Sequence, residues 1–295
     1  MLEVNHVTVS FPHKGHVLDD LSLTLNAGAI IGIIAPNGTG KSTLLHTILH
    51  NIRPDHGEIV VDDLRYTNQH TTQAIHSRIC SFPEQSDLFA ELSGMAHLKL
   101  YAKLWHNQHR TPAAVSAALH MDDYINQPVR TYSLGMKQRL CFAMVLASDA
   151  PIMLLDEVMN GLDPINVDLI SSMIEQLRSE GKLILIVSHL LTNLQEYADR
   201  ALFMAAGKFV LDIDMHAPQP EYLKYTLTSP TAAQQQFAAA QHALIFPNGL
   251  TALPLTGQTD VQITTWLTMI RPWTPTVTLG PITLAEHFSR LYESR

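Results

Sequence analysis

Cysteine is almost absent from this 295-residue chain: Cys80 and Cys141 are the only two, and neither has the spacing of a metal-ligand or redox pair. A disulfide-stapled scaffold is therefore excluded. Long hydrophobic runs are missing too. A spanning helix needs roughly 18 or more apolar residues, and the best stretches, residues 29–35 and 183–191, are broken by Gly32 or by Ser188 and His189. The opening Met1-Leu2-Glu3-Val4-Asn5-His6 lacks the basic-then-apolar layout of a signal peptide. These absences predict a chain of the reducing cytosol that does not itself cross a membrane. Positive charge is scarce, with 19 Lys and Arg against 27 Asp and Glu and a net charge of -8, so no nucleic-acid partner is expected. Metal-ligand clusters are lacking as well: His13 with His16, and His106 with His109, have helical-face spacing but no third ligand beside them, and read as surface histidines.

What is present is apolar bulk. With 46% hydrophobic and 16% charged residues the chain can bury one large or two ordinary cores, which excludes disorder. Met215-His216-Ala217-Pro218-Gln219-Pro220 reads as a linker, predicting one domain over residues 1–214 and a smaller accessory domain over residues 215–295. The second part holds four acidic and four basic residues, so the whole -8 belongs to the first.

In the first part, continuous apolar runs alternate with helical patterns: residues 30–34, 152–155 and 183–187 read as strands buried on both faces of a parallel sheet. Residues 2–25 alternate with period two instead, predicting a small antiparallel layer ahead of that sheet. Residues 88–147 read as a helical subdomain. Thr192-Asn193-Leu194-Gln195 has the form of a capping box, predicting a helix that begins just after Thr192. In the last 80 residues the pattern predicts a helix over 232–240, a strand over 260–265 and an amphipathic helix over 284–292. Trp266 and Trp273 read as core of this α+β extension.

Ala35-Pro36-Asn37-Gly38-Thr39-Gly40-Lys41-Ser42-Thr43 stands directly after an apolar strand and directly before a helix. That is the context of a phosphate-binding loop. Gly38 and Gly40 let backbone N–H groups turn inward around phosphate oxygens, and the helix N-terminus adds positive potential. Lys41 would reach the β and γ phosphates, the Ser42 hydroxyl would ligate Mg²⁺ and Thr43 would touch phosphate. Ala35 occupies the place of the motif's first glycine. Such a loop implies a nucleotide and leaves kinase, GTPase, motor and transporter ATPase open. Asp156 and Glu157 close the apolar strand 152–155; the first carboxylate can hold Mg²⁺ and the second can activate water, although two acids at a strand end also form plain solvated turns.

The intervening motifs bring a resemblance. Tyr132-Ser133-Leu134-Gly135-Met136-Lys137-Gln138-Arg139 is similar to the LSGGQ signature of ATP-binding cassette (ABC) proteins. Asn160-Gly161-Leu162-Asp163-Pro164 resembles their D-loop, and Ser188-His189 their switch-histidine loop. The chain is identified on these motifs as similar to the ATP-binding protein of a bacterial ABC transporter of exporter type. The resemblance covers residues 1 to about 212 and implies an α/β P-loop NTPase ABC cassette.

Roles follow from it residue by residue. Phe11 would stack on adenine. Two cassettes would sandwich ATP, with Ser133 and Gly135 of one contacting the γ-phosphate held by the other, and Asp163 at the interface. Glu157 would be the general base and His189 would position the water and the γ-phosphate. Mg²⁺ would be held by Ser42, Asp156 and either Glu84 or Gln85, because Phe82-Pro83-Glu84-Gln85 puts a glutamate where the family has its glutamine. Leu134 replaces the signature's first glycine and Val158-Met159 the usual Pro-Thr. The implied function is an ATP-hydrolysing subunit, peripheral on the cytoplasmic membrane face, that dimerises and drives a separate multi-spanning permease, whether as homodimer or heterodimer. The alternative is a soluble or regulatory cassette that senses nucleotide and hydrolyses slowly because of Leu134.

Overall fold

A computed structural model of the chain describes residues 1–107, 109–188 and 190–293. The chain divides into two compact units, Met1–Ile213 and Asp214–Arg295. The first contains two sheets. Strands β1 (Leu2–Phe11), β2 (Gly15–Leu25), β4 (His56–Val61) and β5 (Leu64–Arg65) form an antiparallel layer in the order β2-β1-β4-β5. Its period-two sequence has a direct physical result: in β2, Leu21, Leu23 and Leu25 are buried while Ser22 and Thr24 face outward.

The second sheet is the core. Its strands are β3 (Ala29–Ile34), β6 (Ile79–Ser81), β7 (Ile152–Asp156), β8 (Leu183–Val187), β9 (Arg200–Ala205) and β10 (Lys208–Asp214), in the order β10-β9-β3-β8-β7-β6. From β9 to β6 the pairing is parallel. All five residues of β8 are buried, as are Ile30, Ile31, Ile33 and Ile34 of β3. Burying each such side chain contributes about 1.5–3 kcal/mol, which is why these central strands carry no polar alternation. Register puts Ile33 beside Val187 and Val187 beside Asp156. The loops after β3, β8 and β7 therefore leave the sheet at one edge, where open parallel sheets place their ligands.

Helices α1 (Lys41–Ile48) and α2 (Gln69–His76) follow β3 and β5. Between β6 and β7 lie α3 (Gly94–Leu104), α4 (Pro112–Ala118) and α5 (Leu134–Ser148), the helical insert. Helix α6 (Pro164–Ser179) connects β7 to β8, and α7 (Leu191–Tyr197) precedes β9. The capping-box expectation at Thr192 fails: the N-cap of α7 is Leu190, without a side-chain cap, and Thr192 lies inside the first turn. The entry is pinned earlier, by Ser188 Oγ accepting from the Leu190 amide at 3.0 Å.

The second unit has the sheet order β12-β13-β11-β14, built from β11 (Tyr222–Thr226), β12 (Leu244–Ile245), β13 (Leu250–Pro254) and β14 (Val277–Gly280), with helices α8 (Ala232–Ala240), α9 (Asp260–Ile270) and α10 (Leu284–Tyr292). The strand expected over 260–265 is the first half of α9. Thr259 and Gln262 form a reciprocal capping box, and Ile263, Trp266, Leu267 and Ile270 then fall at i, i+3, i+4 and i+7, a helical stripe that overrides the β-branched alternation. Leu223, Tyr225, Leu253, Trp266 and Ile270 form its core, with Trp273 packed against it. Lys224 is buried on the other face of β11, where its ammonium donates to both Glu286 carboxylate oxygens at 3.0 Å and to the Pro281 carbonyl at 2.8 Å.

Candidate functional site

The phosphate loop is built by backbone geometry. Within residues 35–43 only Gly38 (φ 81°) and Gly40 (φ 107°) take positive φ, so Ala35 meets no conformational penalty where the motif usually has glycine. Gly40 is also sterically required, because a Cβ there would stand 2.8 Å from the Val17 carbonyl oxygen. It caps α1, whose first residue is Lys41. Lys41 is buried, and its ammonium donates to the carbonyls of Ala35 at 2.6 Å and Pro36 at 2.9 Å, folding the loop around itself. Thr39 Oγ1 donates to Pro36 O at 2.8 Å and tightens the same turn. Desolvation lowers the Lys41 pKa, against the opposing pull of Glu157 and Asp156.

The two carboxylates reach this loop across the edge of the sheet. Ser42 Oγ donates to Asp156 Oδ2 at 3.3 Å. Glu157 takes φ 52°, a left-handed conformation that costs a non-glycine residue of order 1–3 kcal/mol and turns the chain sharply at the end of β7. Its amide donates to the Val187 carbonyl at 2.9 Å, which holds the turn in place.

A cavity of about 1200 Å³ opens on these groups. It is lined by Asn37, Gly38, Gly40, Lys41, Ser42 and Thr43 of the loop and by Asp156 and Glu157. Glu84 and Gln85 line it too, and Phe11 borders it as a half-exposed aromatic at the end of β1. These residues, singled out in the sequence, line one cavity. Sequence reading missed His46, Tyr101, Gln138 and Asn160 among the lining residues. A signal existed for His46, which lies one turn beyond Ser42 on the same face of α1.

The donor set at Ser42, Asp156, Glu84 and Gln85 consists of oxygen ligands, which suits a hard divalent cation such as Mg²⁺ that keeps several waters. Among the described residues no group of three or more His, Cys, Asp or Glu forms a metal cage.

Ser133, Leu134 and Gly135 of the signature lie outside the lining of this cavity. Ser133 is the N-cap of α5, its hydroxyl accepting from the Met136 amide at 3.3 Å, and Ser133 and Leu134 are exposed. Asp163 caps α6 in the same way, accepting from the Asn166 amide at 3.0 Å and its side-chain amide at 2.7 Å, bonds that lower its pKa. Arg139 in turn donates to Asn166, tying the signature helix to the first turn of α6. His189 lies outside the described residues.

Residues 18–160 match the ABC transporter family. An ABC transporter ATP-binding protein of Bacillus subtilis is 30% identical over 212 residues, covering 71% of this chain and 68% of that protein. The chain belongs to the ABC transporter ATP-binding protein family. A lantibiotic transport ATP-binding protein of Streptococcus pyogenes is 29% identical over 72% of this chain and 90% of its own length. The fold is that of the ABC cassette: a dimeric ATP-binding cassette solved in a post-hydrolysis state with ADP and Pi superposes with a TM-score of 0.66 at 21% identity, covering 74% of this chain and all of that one. Members of this family are ATPases, and this ABC cassette binds ATP and is an ATPase. Among its described residues no helix is long and apolar enough to cross a membrane.

Proposed function

We propose that this ABC ATPase is the energy-supplying subunit of a transporter whose membrane-spanning part is a separate permease, and that it works as a dimer closed around two ATP molecules. The observation that carries this reading is a separation within one chain. The phosphate loop and the carboxylates share a cavity, whereas Ser133, Gly135 and Asp163 lie outside its lining. A second cassette turned head to tail supplies the missing face, its Ser133 hydroxyl and Gly135 amide meeting the γ-phosphate.

On this reading Phe11 stacks on adenine and the loop amides of residues 38–43 cradle the phosphates. Glu157, one of the residues lining the cavity, accepts the proton of the attacking water. Ser42 and Asp156 would hold Mg²⁺ with Gln85 or Glu84, and the ion would supply positive charge beside the phosphate oxygens. Because the γ-phosphate sits in the seam, ATP closes the dimer and its hydrolysis releases it; this opening is the motion delivered to the permease at the cytoplasmic membrane face. The competing regulatory reading, a nucleotide sensor limited by Leu134, is less well supported because the strand-end carboxylates and the loop lysine are all in place.

Light scattering of Glu157→Gln with and without ATP tests the dimer. An ATP-dependent doubling of mass is expected; a monomer under both conditions sinks the sandwich.

A further inference from the structure

In helix α5 the polar Gln138 is buried among core residues. Gln138 lies on a stripe with Cys141, Phe142 and Val145, at i, i+3, i+4 and i+7, and is only 5% exposed. A buried amide needs partners at both ends. Gln138 has them: its Nε2 donates to the backbone carbonyls of Glu157 at 3.1 Å and Val158 at 2.9 Å, and its Oε1 accepts from Gln85 Nε2 at 2.6 Å.

The order of these bonds is forced by chemistry. Two backbone carbonyls can only accept, so the end of Gln138 that faces them is its NH₂. The other end is then the carbonyl oxygen, which only a donor satisfies. Gln85 must therefore turn its own NH₂ toward Gln138. The Gln85 oxygen is the end left to the cavity that Gln85 lines. Glu84 is engaged differently: it is exposed, and its carboxylate accepts from Ser86 Oγ at 3.0 Å.

We infer that Gln138 is a positioning residue that fixes the polarity of the Gln85 amide, so that Gln85 Oε1 and not the Glu84 carboxylate is presented to the metal of the nucleotide. The same side chain holds the carbonyl of Glu157, the residue in the left-handed turn, so one buried amide sets the loop after β6 and the loop after β7 at a fixed spacing. This inference rests on the Mg²⁺–nucleotide reading of the cavity.

The test is a double-mutant cycle read as binding. The Mg²⁺ concentration that half-saturates binding of a fluorescent, non-hydrolysable ATP analogue is measured for wild type, Gln138→Leu, Gln85→Ala and the double variant. Gln138→Leu should raise that concentration on the order of 10-fold, the usual effect of removing a group that orients a metal ligand. In the Gln85→Ala background the same substitution should add nothing, because the group it positions is gone. An equal shift in both backgrounds, or none in either, overturns the assignment and returns Gln138 to simple packing. Should Gln138→Leu fail to fold, Gln138→Asn, an amide one methylene short of both loops, is read in its place with the same expectation. Binding of the analogue by wild type that ignores Mg²⁺ would overturn the metal reading itself, a result separate from any outcome of the cycle.

Discussion

The Leu134 side chain lies over Gly161: a Cβ added to Gly161 would stand 3.3 Å from Leu134 Cδ2. The first residue of the signature helix thus rests on the turn that opens the D-loop, in the position where related cassettes have a glycine. Gly161 can pass beneath it because it has no side chain and takes φ 74°. Leu134 nevertheless remains 63% exposed, so most of its surface is presented outward at the helix start.

Leu134→Gly should therefore raise ATP turnover. On the proposed sandwich, removing the branched side chain would let the α5 N-terminus approach the phosphate held by the second cassette, and one recovered contact of about 1.4 kcal/mol corresponds to roughly tenfold in rate. The cost is about 0.5–1 kcal/mol of stability for glycine in a helix. Phosphate release and thermal unfolding measure the two effects; an unchanged rate would place the limit of turnover elsewhere.

Lys41 gives a pH dependence with two opposite slopes. Its folded-state pKa is pulled below the ordinary 10.5 by desolvation. Between the lowered value and 10.5 the unfolded chain holds the proton more tightly than the folded one, so stability of the nucleotide-free protein rises with pH across that window and is lost below it. Nucleotide affinity should fall across the same window, because phosphate needs the ammonium form. Denaturant and nucleotide titrations from about pH 8 to about pH 10.5 check both, with Lys41→Met as the reference that removes this contribution. Slopes of the same sign would refute the assignment. At neutral pH Lys41→Ala should weaken ATP binding by at least about 100-fold, given about 1.5–3 kcal/mol for each charge-assisted hydrogen bond lost.

Trp266→Ala should cost about 3–5 kcal/mol in the C-terminal unit, as truncation of a large core aromatic does. Its side chain is 6% exposed among Leu223, Tyr225, Leu253 and Ile270. Val261, on the same helix but 75% exposed, serves as the control. Replacing it with alanine should change stability by less than about 0.5 kcal/mol. Denaturant titration followed by Trp273 fluorescence compares the two, and equal losses would mean that Trp266 is not core.

These residues also mark what could be seen in the sequence. The phosphate loop was legible because glycine spacing and the strand-to-helix context are local, and Asp156 and Glu157 were legible as an abrupt end to an apolar strand. Helices α8 and α10 were read at residues 232–240 and 284–292, where Ala/Gln composition and a one-sided apolar stripe leave little competition. Residues 260–265 were misread because Val261, Ile263, Thr264 and Thr265 favour strand, while the features that decide for helix, the Thr259–Gln262 box and Trp266, lie at the edges of that window. Thr192 shows the reverse error: a local capping pattern lost to a helix start set by Ser188. Gln138 was out of reach for a different reason. Its partners Gln85 and Glu157 lie in the loops after strands β6 and β7, and only the parallel pairing of those strands brings the two loops to the same amide.

The placement of Ser133 and Gly135 away from the chain's own cavity has a kinetic corollary on the proposed reading. Each molecule then carries half of two reaction centres and a whole one of neither, so the reaction is second order in protein. Diluted well below the dimerisation constant, ATP consumption would fall with the square of the concentration and not in proportion to it. A cell could then set the activity of this ATPase by local crowding alone, gathering chains in pairs wherever their membrane partner holds them side by side.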